Sequence, residues 1–491
     1  MKSLSSLVRP LTTRRLHPSW SIATISLGVL VGTALVLVSP EGLFHNQQWL
    51  VIAISIVITG FIKPTFLMTP LFLLGGILVG LNLGSIQQQQ LNGYQQFFDQ
   101  NVVLEGLVAD DTIYGPSGDI RLRINQITID SHELPGDVWV STRSDLDIKR
   151  GDIVKLQGYL NEGFGNLSAS IFRARLVDIY RPHPGDIARK TRDWLATNIQ
   201  AAIPEPESFL GISYLFGQRQ ILPSDLLDRL RILGLAHVVV ASGFHLSIVV
   251  KYLRRSFARL SKYLSVFISF AGIAAFLMLT GFSTSMTRAS LVSGLSLLAW
   301  YYGRSIHPVV LLLFVAAITV VLDPSVIWGD VGWFLSFTAF AGVIILAPLL
   351  NSYFWGESEP GMFRYILLAT TSAQITTFPV VAYVFGHYSP LALASNLLIL
   401  PLVPAVMALT LLSGVGAAAI PSLASIFGLP AYIILRYMNE ITNWLADQPA
   451  AYNEIVFSAP MLILSYILIL GLILYLLKVT GYSLRRENPV E

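Results

Sequence analysis

Long apolar runs constrain the fold of this chain more than any other feature. Three of them, at about 20–40, 48–62 and 65–84, precede a polar segment, and a second apolar block extends from about 233 to 478. Crossing about 30 Å of hydrocarbon takes roughly 20 helical residues, so these runs predict membrane-spanning helices. The second block contains eight candidate spans, at about 233–250, 264–282, 287–303, 307–323, 331–350, 364–385, 391–419 and 460–478.

Composition supports the membrane assignment. Only 12% of the 491 residues are charged, whereas soluble domains have about a quarter. The chain has no cysteine, which excludes disulfides, thiolate metal sites and cysteine nucleophiles. The formal net charge of +3 implies no polyanionic partner by itself. No cleavable signal peptide is apparent before the first apolar run.

The placement of Lys and Arg predicts the orientation of the chain. The basic N-terminal tail is expected in the cytoplasm, and three crossings then place the polar segment outside. One further crossing brings the densest basic cluster, from Lys251 to Lys262, back inside, and the C-terminal tail (481–491) is also expected inside. The tail residues behind this expectation are Lys2, Arg9, Arg14, Arg15, Lys478, Arg485 and Arg486.

The polar segment, residues 85–182, reads as a small external β-barrel. Apolar and arginine residues alternate in 120–124 and 172–176, and further strands are expected at 102–109, 137–142 and 153–159. About five short strands suit an OB-like barrel, a fold that often binds oligonucleotides or oligosaccharides. The strand arginines are candidate DNA-binding residues, or else an ordinary solvated strand face, since residues 99–181 hold 13 acidic and 9 basic residues. These arginines are Arg121, Arg123, Arg173 and Arg175.

Two segments read as amphipathic helices on the membrane surface rather than as spans. Residues 183–232 follow the barrel, and Lys190 and Trp194 there suit a helix anchored at the interface. Residues 425–447 are apolar but include charged side chains, and the 391–419 run is interrupted by Pro401 and Pro404, which predicts a broken pair of short segments.

Polar side chains within the second apolar block mark its candidate functional residues, because such groups in hydrocarbon usually face a bundle interior or a wet cavity. His237 and His245 lie eight residues apart, about 12 Å along an unbroken helix, so they are not expected to share a metal. No HExxH pattern occurs, and neither a metal site nor a cofactor is predicted. The candidate path-lining residues are His237, Ser242, Gly243, His245, Arg288, Ser336, Gln374 and Asn396.

The Ser242-Gly243 step leaves three interpretations open. A serine and a glycine in an apolar helix indicate a bend or a close helix contact beside a wet path. The same residues can be plain interhelical hydrogen-bonding groups. An intramembrane serine hydrolase would need a base near Ser242 and a site for an oxyanion, although the surrounding residues do not form GxSxG.

Four separated motifs resemble the ComEC family of bacterial competence proteins. They are Gly234-Leu235-Ala236-His237 with Ala241-Ser242-Gly243-Phe244-His245; Leu279 to Ser283 with Thr287-Arg288-Ala289; Asp323-Pro324 with Gly332 to Phe337; and Ala373-Gln374 with Phe378-Pro379, Phe385-Gly386, Ser389, Asn396 and Pro401. They occur in the order of the family over about 205–420, and the N-terminal spans with an OB-like insert also fit.

The resemblance implies a multi-pass protein of the bacterial cytoplasmic membrane that passes single-stranded DNA inward during natural transformation. A DNA-receptor protein outside, a cytoplasmic ATPase or single-strand-binding protein inside, and membrane lipid are the implied partners. The domains expected are 1–84, the tail and three spans; 85–182, the barrel; 183–232; and 233–480, the channel. Longer members carry a metallo-β-lactamase-like domain; no HxHxDH cluster occurs here, so no nuclease and no enzyme activity is expected. A transporter of another substrate stays an alternative.

Overall fold

A computed structural model describes residues 16–39, 42–62, 65–115, 118–143, 146–304, 306–356 and 358–482. The chain divides into two compact units, one of residues 1–185 with 306–333 and one of residues 186–305 with 334–491. The basic residues Lys2, Arg9, Arg14, Arg15, Arg485 and Arg486, on which the predicted orientation partly rests, lie outside the described residues.

Helices make up most of both units. Numbered along the chain, they are α1 Pro18–Leu35, α2 Gln47–Ile62, α3 Thr69–Asn92, α4 Ile187–Ala202, α5 Glu207–Phe216, α6 Ser224–Ile232, α7 Ala236–Val239, α8 Gly243–Ala258, α9 Lys262–Thr280, α10 Thr284–Tyr301, α11 Pro308–Leu322, α12 Val326–Gly329, α13 Val331–Ala341, α14 Ala347–Trp355, α15 Met362–Phe385, α16 Ala392–Ile399, α17 Val403–Ala419, α18 Ala424–Ala446 and α19 Ala459–Thr480.

Within the described residues, seven helical segments are long and apolar enough to cross a membrane. They include α1, the segment around α3, α9, α15 and α19, together with two composite segments. One composite joins α13 to α14 through a π-helical turn at Gly342–Leu346, and the other joins α16 to α17 through a 3₁₀ turn at Leu400–Leu402. Residues 392–419, which were expected to form a broken pair of short segments, form one helical segment of 28 residues with a 3₁₀ turn inside it. Helices α2 and α11 are apolar but shorter.

The strands build the barrel predicted from the polar segment. They are β1 Asn101–Val108, β2 Ile113–Tyr114, β3 Ile120–Ile129, β4 His132–Leu134, β5 Val138–Thr142, β6 Ile153–Glu162 and β7 Ala169–Tyr180; a separate pair, β8 His387–Tyr388 and β9 Asn453–Glu454, lies in the second unit.

Five of these strands close on themselves in the order β1-β3-β5-β7-β6-β1. Every neighbouring pair is antiparallel except β5 and β7, which are parallel. Ile120, Leu122 and Ile124 point into a core drawn from residues 94–179, while Arg121 and Arg123 point outward. The alternation of side chains along a strand thus produces the OB-like barrel, and the predicted combination of membrane helices with an OB-like barrel is confirmed.

Small residues bring the helices of the first unit together. A Cβ on Gly28 of α1 would lie 2.9 Å from the Cα of Gly76 in α3, so only glycine permits this approach of two backbones. The indole N–H of Trp328 in α12 donates to the carbonyl of Thr33 in α1 at 3.0 Å. Residues 306–333, which the sequence assigned to the channel segment, belong to this unit.

The second unit is a helical bundle with one large buried core. Residues from α4, α5, α6, α8, α16, α17 and α18 contribute to it. Helix α5 is buried along almost its whole length, and α4 packs against α17 and α18. By contrast, α19 exposes nearly all of its apolar side chains, as expected for a helix that faces lipid.

Candidate functional site

The helix expected over 233–250 is interrupted. Helix α7 ends at Val239, the backbone at Val240 and Ser242 is extended, and α8 begins at Gly243. A bend was indicated by the Ser242-Gly243 step, and the separation of His237 and His245 calculated for an unbroken helix does not apply. Among the described residues, no group of three or more His, Asp or Glu side chains is placed to hold a metal ion.

Ser242 and His245 form a hydrogen-bonded pair at the start of α8. Ser242 Oγ lies 3.0 Å from Nδ1 of His245, whose side chain is fully buried. Nε2 of His245 is also buried and makes no hydrogen bond within the described part of the chain. Ser242 occupies the N-cap position, but its hydroxyl contacts the imidazole instead of capping the backbone. A buried imidazole needs polar partners, and this one has the Ser242 hydroxyl and the backbone of Val238 within reach.

His237 has a different environment from His245. Its side chain is exposed, and its Nδ1 lies 2.8 Å from the carbonyl oxygen of Gly234, to which it donates a hydrogen bond. Both histidines were predicted as path-lining residues, and the structure places one of them exposed and the other buried.

Arg288 lies close to the start of α8. A Cβ on Gly243 would be 3.3 Å from the Cβ of Ala289 in α10, so the glycine lets α8 and α10 approach closely. Arg288 itself is 4% exposed, and its guanidinium carbon lies 5.9 Å from the ring centre of Phe337 in α13. An arginine this deeply buried is rare and usually functional or paired.

The predicted polar residues lie on helices that contact one another in a closed sequence, which we call the polar ring. Helix α8 packs against α10, Arg288 of α10 reaches α13, the π-helical turn after α13 packs on α15, and α15 packs on α16. Ser395 of α16 closes the sequence by donating to the carbonyl of Leu233, just before α7, at 3.0 Å. Along this sequence lie His237, Ser242, Gly243 and His245 (α7 and α8), Arg288, Ser336, Gln374 and Asn396. Asn396 is buried, and its Oδ1 makes no hydrogen bond among the described residues.

Two buried arginines on α4 were not identified from the sequence, which placed this helix on the membrane surface. Arg189 and Arg192 are 6% and 2% exposed, and Arg192 Nη2 lies 3.0 Å from Oδ1 of Asp193. When the side-chain amide of Gln218 is oriented so that both groups are satisfied, its oxygen accepts from Nη2 of Arg192 at 3.0 Å. The sequence did indicate that both arginines face the bundle, because they continue the apolar stripe of Ile199 at helical spacing.

This arginine network reaches the helix interruption. Gly217, directly before Gln218, has a left-handed backbone, and a Cβ there would lie 2.5 Å from the Ala241 nitrogen. The end of α5 is therefore pressed against the residue that precedes Ser242. Arg192 and Gln218 support one side of the interruption, and α10 supports the other.

The four barrel arginines fall into two pairs. Arg121 Nε lies 2.9 Å from Oδ2 of Asp119, and Arg123 Nε lies 2.8 Å from Oδ2 of Asp137. By contrast, Arg173 and Arg175 are exposed on β7 and form no ion pair within the described chain. Exposed aromatic side chains lie in the same strand or the next one: Phe172 in β7 and Tyr159 in β6.

Carboxylates surround Arg123. Asp110 lies 3.8 Å from its Nη1, and a cavity of about 370 Å³ beside it is lined by Asn125, Asp137, Asp323 and other polar residues. Burial raises the pKa of Asp110 despite the opposing effect of Arg123. The charge of Arg123 is therefore engaged inside the first unit rather than presented to a ligand.

These features define a class: a polytopic helical membrane protein with an OB-like barrel and a helical bundle that contains a broken helix and several polar side chains. Residues 214–480, more than half of the chain, match the family model described as "Competence protein". The chain belongs to this family, and the resemblance to ComEC proteins seen in the sequence is confirmed.

One curated relative is ComE operon protein 3 of Bacillus subtilis (strain 168). It is 24% identical over 283 residues, which cover 55% of this chain and 34% of the relative. The match thus spans about a third of that relative's length. No solved structure matches the chain.

Proposed function

We propose that this protein conducts single-stranded DNA across the bacterial cytoplasmic membrane during natural transformation, and that it does so without enzymatic activity. Its membership of the competence family supports a role in DNA uptake. The observation that carries the proposal is the polar ring, because six helical segments of one bundle each carry a polar or ionisable side chain in it. Such groups inside membrane proteins generally mark a substrate path.

Within this proposal the helix interruption is the narrow point of the path. The broken backbone at 240–242 is tolerated at membrane depth where it lines a cavity or is buried in protein. Arg288 supplies positive charge for phosphate, and Ser242 and His245 supply neutral hydrogen-bonding groups. Strong binding would stop movement, so a few weak contacts suit conduction better than a continuous basic lining.

We further propose that the barrel lies outside the membrane and receives the single strand. Arg173 and Arg175 are the better candidates for phosphate contact, since Arg121 and Arg123 are already paired with carboxylates. Phe172 and Tyr159 are exposed and suited to stack on bases, as in other single-strand-binding surfaces. A DNA receptor outside and a cytoplasmic ATPase or single-strand-binding protein inside would act on either side of the membrane.

DNA uptake by intact cells tests the proposal. Cells with and without the gene receive labelled duplex DNA, and surface-bound label is distinguished from label protected inside the cytoplasmic membrane. Loss of the gene should leave surface binding unchanged and abolish the protected fraction. Unchanged protection would refute DNA transport and favour another substrate.

The Ser242–His245 contact favours a second candidate, an intramembrane serine hydrolase. A serine 3.0 Å from an imidazole has the spacing of a nucleophile and its base. The contact uses Nδ1, however, and the other polar group recorded against the ring is the backbone of Val238, not a carboxylate that would orient a catalytic base. Stoichiometric labelling of Ser242 by a fluorophosphonate, lost in Ser242→Ala, would decide for the hydrolase; we expect no labelling.

A further inference from the structure

A cationic surface with many aromatic side chains lies where three helices of the second unit end together, apart from the polar ring. The C-terminal part of α8, the start of α9 and the end of α10 pack against one another. We call this surface the helix-end patch and define it by Arg254, Lys262, Tyr263, Trp300 and Tyr301.

The cations of the patch are held against aromatic rings. Lys262 Nζ lies 5.4 Å from the ring centre of Trp300 and 5.6 Å from that of Tyr301, and the Arg254 guanidinium carbon lies 5.2 Å from Trp300. Tyr263 meets Tyr301 edge to face with 5.4 Å between ring centres. These are cation–π distances, and they fix the positions of both charges.

A second contact fixes the backbone beneath the patch. Ser265, fully buried one turn into α9, donates its hydroxyl to the carbonyl of Arg254 at 3.0 Å. The two cationic helix ends are therefore locked together, and the patch is a built surface rather than a chance meeting of mobile side chains.

The patch lies in a region of the sequence with an extreme charge bias. Residues 229–322 contain nine Lys and Arg residues and no Asp or Glu. Exposed basic side chains flank the patch at Lys251, Arg255 and Arg259. Beside them are large apolar side chains that are at least 60% exposed, namely Tyr252, Leu260, Phe267 and Tyr302.

We propose that the helix-end patch is a binding site for the phosphate headgroup of an anionic membrane phospholipid. Lys262 is the first residue of α9, a helix long and apolar enough to span the membrane, so its ammonium lies at the level expected for headgroups. The ammonium has three N–H donors, and those not directed at the rings can contact a phosphate oxygen. The surrounding aromatic and aliphatic side chains suit the interfacial layer, and clustered basic residues next to a span attract anionic lipids.

The geometry favours lipid over nucleic acid for this phosphate. A base-stacking surface needs open ring faces, but the faces of Trp300 and Tyr301 already carry Arg254 and Lys262. The exposed apolar residues around the patch would also remain uncovered by a nucleic acid, whereas acyl chains would cover them.

Native mass spectrometry of the detergent-purified full chain tests the site. Short-chain phosphatidylglycerol is titrated against short-chain phosphatidylcholine, with wild type compared to Arg254→Gln/Lys262→Gln. One interfacial charge changes lipid binding by about fivefold, so wild type should prefer phosphatidylglycerol and the double variant should lose most of that preference. The matched control Arg173→Gln/Arg175→Gln removes two exposed charges from the barrel and should retain it.

Three further measurements keep the proposal open to refutation. Lys262→Arg preserves the charge and should retain the preference for phosphatidylglycerol. Retention in this variant and loss in the Gln variant would separate a binding role of the charge from a folding role of the side chain. Inorganic phosphate should not compete at concentrations where phosphatidylglycerol binds. Equal binding of both lipids by wild type, or an unchanged preference in the double variant, would overturn the site. Selective loss of oligothymidylate binding in the double variant, with lipid binding intact, would assign the patch to nucleic acid instead.

Discussion

At the scale of single residues, Gly217 has the most restricted environment beside the helix interruption. Its backbone is left-handed (φ +73°), and an added Cβ would lie 2.5 Å from the nitrogen of Ala241. A left-handed alanine alone costs about 1–2 kcal/mol, and overlap with a backbone atom adds to this. We expect Gly217→Ala to lower the thermal unfolding midpoint of the detergent-solubilised protein markedly.

Gly481 provides the matched control for this substitution. It also ends a helix in the left-handed region (φ +62°), but nothing lies within 4 Å of its missing Cβ. Gly481→Ala should therefore show the conformational cost alone. If both variants lower the unfolding midpoint by the same amount, the end of α5 does not press on Ala241.

Asp110 gives a pH-dependent prediction in the barrel. Burial raises its pKa above the value of an unfolded aspartate, about 3.9, so folding disfavours the carboxylate. The stability associated with protonation is present below the unfolded pKa and is lost as pH rises through the folded pKa. Asp110→Asn should therefore raise the unfolding midpoint at pH 7, and the gain should shrink as the pH approaches 4.

At Asp119 we expect the substitution with Asn to change the unfolding midpoint in the opposite direction. A hydrogen bond from Arg121 lowers the pKa of that carboxyl, so its ionised form stabilises the fold above the unfolded pKa and the effect is lost in acid. Asp119→Asn should lower the midpoint at pH 7 and lose its effect at low pH. If both variants shift the midpoint in the same direction, the charge arrangement around β3 is not as described.

Sequence reasoning identified single residues when their type was unusual for their surroundings. His245 and Arg288 were found because ionisable groups are rare in apolar runs. Arg192 was missed because a basic residue in an amphipathic segment is ordinary, and its place on the apolar stripe of α4 was passed over; its burial results from packing against other helices. Likewise, the pairing of Arg123 with Asp137 depends on a turn geometry that no local pattern encodes.

At the scale of elements, the barrel was predictable, and the Ser242-Gly243 step indicated a bend in the membrane helix but not the extended backbone that precedes it. A two-residue alternation specifies both a strand and its buried face, and β3 follows it over 120–124. Strand β7 departs from it, because the backbone of Arg173 is left-handed (φ +55°) and Phe172, expected on the buried face, is exposed. Residues 238–241 are uniformly apolar or small, which suits a continuous helix equally well. The extended backbone there is stabilised by contacts with α5 and α10, which are distant in sequence.

Thiol accessibility tests whether the interruption lies beside a wet path. The chain has no cysteine, so single cysteines at 237, 241, 242 and 245 can be probed with a membrane-impermeant reagent. His237 is exposed, Ser242 is partly exposed, and Ala241 is buried. We expect labelling at 237 and 242 with protection at 241, and labelling at 245 only if the bundle opens during transport. Protection at all four positions would place the path elsewhere.

At the scale of the whole molecule, the predicted orientation depends on how many helices cross before the barrel. Helix α2 has 16 residues, about 24 Å at 1.5 Å per residue, which is less than the hydrocarbon thickness of about 30 Å. If α2 crosses with α1 and α3, the barrel faces the side opposite the N-terminus. If α2 does not cross, the barrel returns to the N-terminal side.

Reporter fusions decide between these arrangements. We predict that a reporter near residue 130 is external and one near residue 257 is cytoplasmic, since the cluster from Lys251 to Lys262 should remain inside. A third fusion near residue 43, in the segment between α1 and α2, isolates the contribution of α2. A reporter at residue 43 should be external if α1 crosses the membrane. In that case the barrel lies outside only if α2 crosses back to the cytoplasm and α3 crosses outward again. Reporters at 130 and 257 on the same side would contradict the external barrel and, with it, the proposal that the barrel receives DNA before the bundle does.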